Sequence, residues 1–225
     1  MKKYEFTGKT IEYEGHTLHQ IRALRDLNIR SKRSDTNDLR GHAGDIGGWI
    51  ESEDNLSHEG NCWVDDDAKV YGYASIRDDA YVGNEASVSG CNVVGNNARI
   101  VDNAIVIGFA TVFGNAFIGG SAIVKGKSKI YGEATIKGMA KVQDSEIYGN
   151  ATIAGTIEVY CKTLCKGLYD CDDDFREKRP EKRSYDEPFL PVDNSLSSVE
   201  RRAIERRQLA YRMCDLEYLL WDDCL

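Results

Sequence analysis

The sequence predicts a mainly β protein: a parallel β-helix of about six triangular coils, with an N-terminal β-hairpin cap and a C-terminal α-helix. Three observations predict it. From Val64 to Val142 every sixth residue is Val or Ile, fourteen times without a miss. Two residues after each of these stands Gly, Asn or Asp, from Asp66 to Asp144. Four residues after each, as far as Ala140, stands a small side chain, Ala everywhere except at Asn92 and Ser128.

A period of six fits neither an α-helix nor an alternating strand. It fits short strands joined by sharp corners. The β-branched residue favours extended backbone and points inward. Gly, Asn and Asp tolerate the positive φ that a corner needs. Ala fills the tight space beside it. Three such sides close one coil, and coils stack about 4.8 Å apart through backbone hydrogen bonds. Each buried Val or Ile contributes about 1.5–3 kcal/mol. No coil buries its face alone, so stability is shared between neighbours. After Val142 one residue is deleted, and the series resumes at Ile147, Ile153 and Val159.

This pattern resembles the hexapeptide-repeat, left-handed parallel β-helix family. Left-handedness comes from that resemblance, since parallel crossovers are normally right-handed. The local style V-Y-G-N-A-x is similar to β-helical proteins of bacteriophages and prophages. So are the opening MKKYEFTGKTIEYEGHTLHQIRAL and the stretch GDIGGWIESEDNLS. The resemblance implies a viral or mobile-element origin.

Residues 1–45 read as a hairpin followed by a polar loop. Apolar and polar residues alternate on both sides of Glu14-Gly15, a turn signal. Such a hairpin would cover the open N-terminal edge of the stack. Residues 46–160 form the β-helix, with a two-residue insertion between Leu56 and Val64. Residues 161–194 hold all three prolines and a DCDDD run, and read as a linker or wrap. Residues 195–225 read as an amphipathic helix. Ser197 and Glu200 fit a capping box, and Val199, Ala203, Ala210, Met213, Leu216 and Leu220 make an apolar stripe.

The 225 residues carry 29 basic and 37 acidic side chains, a net charge of −8. The acidic balance argues against direct nucleic-acid binding. No apolar run is long enough to cross a bilayer, so no membrane span is expected. The start has no apolar signal core, and seven scattered cysteines are expected to be reduced thiols in a cytoplasm, that of the host if phage-encoded.

The resemblance implies that acyltransferases of the family use a histidine base between coils, and that carbonic anhydrases of this fold hold zinc with three histidines. Here the histidines are His16, His19, His42 and His58, all before the regular repeat. Cys161, Cys165 and Cys171 lack the paired C-x2-C spacing of a zinc knuckle. No catalytic residue, cofactor or metal is expected.

Outward positions one full coil apart stack on one face. They give a ladder of Trp63, Tyr81, Arg99 and Phe117, a second of Phe113, Tyr131 and Tyr148, and an aliphatic patch of Ile105, Ile107 and Ile123. Contiguous exposed apolar surface marks contact with something. The expectation is therefore a non-catalytic protein-binding or assembly protein, homo-oligomeric and phage-derived. Its narrower form is an inhibitor of a host defence system, such as an anti-CRISPR protein docking on a nucleic-acid-binding effector. The alternatives are an acyltransferase acting on a sugar nucleotide and a self-assembling structural protein.

Overall fold

A computed structural model describes residues 2–30 and 39–170. The expected C-terminal helix, and the expected wrap beyond residue 170, lie outside these residues. So does half of the polar loop, residues 31–38.

The described residues form a parallel β-solenoid of about seven turns. Its three faces are sheets of stacked short strands. The first runs through Lys69–Val70, Ser87–Gly90, Ile105–Gly108, Ile123–Gly126, Lys141–Gln143 and Glu158–Tyr160. The second runs from Ser75–Ile76 to Thr163–Leu164, and the third from Trp63–Val64 to Leu168–Tyr169. Each strand pairs with its equivalent one turn on, as in Val88↔Val106↔Val124 and Val94↔Val112↔Ile130.

The three sequence signals have the expected physical roles. Every inward aliphatic from Val64 to Val142 is fully buried. Every corner residue two positions later has positive φ, whether it is Asp66 (51°), Asn96 (53°) or Gly120 (68°). The small residues pack in the interior beside them, from Ala68 to Ala140. Asn92 replaces one Ala and remains fully buried. Its Nδ2 donates to the carbonyls of Ser89 and Val106, and its Oδ1 accepts the Ala110 amide at 2.6 Å. The amide thus serves backbone groups in its own corner and the next turn, which offsets its desolvation.

The stack has about seven turns where the repeat count gave about six, because it continues at both ends. Backwards, Ile50 pairs with Val70 and Leu56 bridges to Ile76, so the six-residue spacing starts at Ile50. Forwards, Leu164 and Tyr169 pair with Ile147 and Ile153. The spacings Val142–Ile147, Val159–Leu164 and Leu164–Tyr169 are each five. Shortened corners hide these turns from a strict six-residue count.

The N-terminal cap is the expected hairpin. Strands β1 (Tyr4–Tyr13) and β2 (His16–Ala23) are antiparallel, with Glu14 and Gly15 at the tip in positive φ. β2 pairs antiparallel with a later strand, Ile46–Ile50, which in turn pairs parallel with Lys69–Val70. The hairpin therefore occupies the edge of the first sheet, which would otherwise carry unpaired backbone groups. Its tip also sits against the first face. Glu14 accepts the Tyr71 hydroxyl at 2.7 Å, and Tyr13 packs edge-on to Tyr71.

Candidate functional site

The third face and its border with the second face carry a polar row and a groove. The corner residues there recur once per turn: Asn61, Asp79, Asn97, Asn115 and Glu133. Corner geometry sets them in a straight row, because each turn repeats the last. Asn61 Nδ2 donates to Asp79 Oδ1 at 2.9 Å, and Asn97 Nδ2 donates to Asn115 Oδ1 at 3.1 Å. Beside this row lies a groove of about 770 Å³. It is lined by those five residues together with Asn28, Ile29, Arg99, Phe117 and Thr135.

The expected Trp63–Tyr81–Arg99–Phe117 ladder exists, but only half of it reaches the groove. In-register pairing stacks the four in order. Trp63 is fully buried, packed against Gly47, and Tyr81 is nearly so, its ring lying over Gly83 and under Arg99. The Tyr81 hydroxyl donates to Asp65 at 2.9 Å. The Arg99 guanidinium lies 4.5 Å above the Tyr81 ring. Partial burial holds the Arg99 pKa below the ordinary guanidinium value, opposed by the nearby Tyr81 phenol. Phe117 folds down over Gly119, where a Cβ would come within 2.7 Å of its ring. That backbone clearance lets the phenyl lie along the groove instead of standing away from it.

The second predicted ladder lies at the corner between the second and third faces. Tyr131 and Tyr148 stack face to face, centroids 5.1 Å apart and planes 8° from parallel. The Tyr131 hydroxyl donates to Glu146 at 2.7 Å, and this bond to a carboxylate lifts its pKa to about 12. Phe113 instead receives Arg77 at 5.2 Å, from two turns away. Gly95 occupies the intervening turn. A side chain there would meet the Phe113 ring at 2.8 Å, so the glycine opens the path.

The aliphatic patch sits on the first face. Ile105 pairs directly with Ile123, and Ile107 with Lys125. Ile105 is 40% exposed, while Ile107 and Ile123 are half-buried. Ser87 and Ser89, one turn back, are nearly buried, next to Tyr71 and the hairpin tip. The patch is thus bounded on one side by the cap.

Sequence reading missed the amide and carboxylate row. Its signal was present, since every member lies one full coil from the next. Asn28 and Ile29 gave no such signal, as they come from outside the repeat. Charge is also unevenly spread along the stack. From Glu59 to Asp102 the chain has eight acidic and three basic residues, and from Ser121 to Asp170 five acidic and seven basic. Stacking turns this into an axial difference, with the acidic turns next to the cap.

None of the described residues groups three or more His, Cys, Asp or Glu side chains as a metal would require. No helix among them is long and apolar enough to cross a membrane. No protein-family model matches the chain, and no curated protein matches it.

Proposed function

We propose that this chain is a non-catalytic binding protein that grips a protein partner along the groove of the third face. The carrying observation is the groove itself: an in-line row of amide and carboxylate groups over five turns, beside Arg99 and Phe117. A stacked frame holds these groups at a fixed repeat, so their ordering cost is already met before binding. The acidic turns around the groove favour a partner with a basic surface, including a nucleic-acid-binding effector. The narrower reading keeps the left-handed hexapeptide-type helix, a phage origin and inhibition of a host defence system such as CRISPR. It rests on the sequence resemblance and the acidic charge.

The test is capture from a bacterial host lysate with the full chain and with an Asn97→Arg, Asn115→Arg variant. Both positions are exposed and outside the core. A basic partner retained by the native chain, released by salt and lost by the variant supports the proposal. A partner retained equally by both contradicts it.

The 40% exposure of Ile105 favours a second contact surface, for another copy of the chain. Light scattering on Ile105→Lys with Ile123→Lys should show a smaller particle. Unchanged mass would rule that surface out.

A further inference from the structure

The two-residue insertion between Leu56 and Val64 widens one corner at the start of the stack. The amine end of Lys3 fills that corner. Lys3 is fully buried, and so is Cys62 beside it. Lys3 Nζ donates to the Cys62 carbonyl at 2.7 Å and lies 3.0 Å from Cys62 Sγ. Among the described residues no carboxylate lies within ion-pair distance of Lys3; its side-chain partner is the sulfur. His58 accepts the Lys3 backbone amide at Nδ1, 3.2 Å away, and stacks on Tyr4 at 4.4 Å. The backbone on each side of the amine and thiol is therefore held. The pair joins positions 59 residues apart.

We propose that Lys3 and Cys62 are an oxidative cross-linking site, which a peroxide closes into a covalent S–N bridge. A proton moves across the 3.0 Å contact from the thiol to the amine, giving thiolate and ammonium without exchange with solvent. The thiolate attacks one peroxide oxygen and the O–O bond breaks. Lys3 returns the proton to the departing hydroxide, which leaves as water. Sulfur is now a sulfenic acid, the first oxidised state of cysteine, and Lys3 is a neutral amine in contact with it. Nitrogen then attacks sulfur, the S–O bond breaks and a second water leaves. The thiol has lost two electrons to one peroxide, and a thiol reductant reverses the bond. Burial supports the second step, because it lowers the Lys3 pKa and favours the neutral amine, although the nearby sulfur opposes this. Burial also raises the Cys62 thiol pKa, so the thiolate forms through Lys3 and not in bulk solvent. Peroxide reaches the pair through transient local opening around this end of the stack. The closed bridge staples the start of the chain to the first corner of the stack.

The test is hydrogen peroxide treatment of the full chain, followed by digestion with a Glu-specific protease and mass spectrometry. The expected product joins the Lys3 peptide to the Cys62 peptide, lighter than their sum by two hydrogen atoms. It disappears with dithiothreitol and does not form in Lys3→Arg, which keeps a long side chain with N–H donors but no amine to attack sulfur. Treated native protein should also melt at a higher temperature than untreated, and Lys3→Arg should not. Cys62 oxidised to sulfenic or sulfinic acid with Lys3 free would overturn the proposal. So would Cys62 left as a thiol while the exposed Cys161 and Cys165 react.

Discussion

The stack and its cap solve one problem with different materials. From Val64 onward each turn is built from a β-branched residue, a small residue and a corner former, repeated with little variation. Hydrogen bonds between turns come mainly from the backbone, and the interior is nearly all aliphatic. The cap has no period. It depends on single long side chains: Tyr4 donating to the Leu56 carbonyl at 2.8 Å, Lys3 reaching Cys62, and Trp63 against Gly47. Repetition makes the stack tolerant, since one turn resembles the next. The cap has one copy of each contact, so each matters separately.

The largest expected effect strikes the stack at its axis. Val106→Asp places an unpaired carboxylate in a fully buried position and should cost several kcal/mol, about the upper range for burying an uncompensated polar group. Denaturant unfolding measures it. Thr111→Asp points outward from the next strand and should leave the midpoint nearly unchanged. Equal losses in both would break the inward register.

Next comes the corner. Gly120 has φ of 68°, and a Cβ there would sit 2.7 Å from the Gly138 carbonyl oxygen. Gly120→Val should cost about 1–3 kcal/mol from backbone strain alone. The contrasting Asp66→Gly change relieves the same backbone region and should cost far less. A neutral Gly120→Val would show that the corners are not the constrained points.

Asn92→Ala is smaller still. It removes the acceptor of the buried Ala110 amide, a loss of about 1–3 kcal/mol partly offset by the return to the usual Ala of the repeat. No change in stability would mean that this amide is a passenger.

The smallest effect belongs to the cap and appears with pH. Burial raises the Tyr4 phenol above its ordinary value of 10.0, helped by Glu53. A raised phenol keeps its proton in the folded state, so its contribution is present below pH 10 and is lost as pH rises beyond it. Tyr71, which bonds the hairpin tip, is shifted the same way by burial and Glu14. Lys3 acts in the opposite sense, since its lowered pKa adds stability as pH climbs toward 10.5. Melting temperature should therefore fall above pH 10, and Tyr4→Phe should flatten that fall. An unchanged slope would remove Tyr4 from the titration.

The same contrast explains what could be read in advance. Inward residues, corners and faces were legible because they recur: Val88, Val106 and Val124 predict each other. The amide row was legible in principle by the same once-per-coil rule, but each of its members taken singly looks like an ordinary polar corner. The shortened corners at Val142–Ile147 and Val159–Leu164 blurred the turn count. The Lys3–Cys62 pairing left only one trace, the insertion after Leu56. A lysine at position three carries no sign that it will be buried, because its partner is set by how the hairpin folds back. Asn28 and Ile29 reach the groove for the same non-local reason.

The division between a repetitive stack and a singly pinned cap is tested most directly by amide hydrogen exchange on the full chain and its Lys3→Met variant. Faster exchange is expected across Tyr4–Ala23, Ile46–Ile50 and the 57–64 corner, with protection unchanged from Arg99 to Ile136. Protection lost evenly along the whole solenoid, or not lost in the cap, would contradict that division.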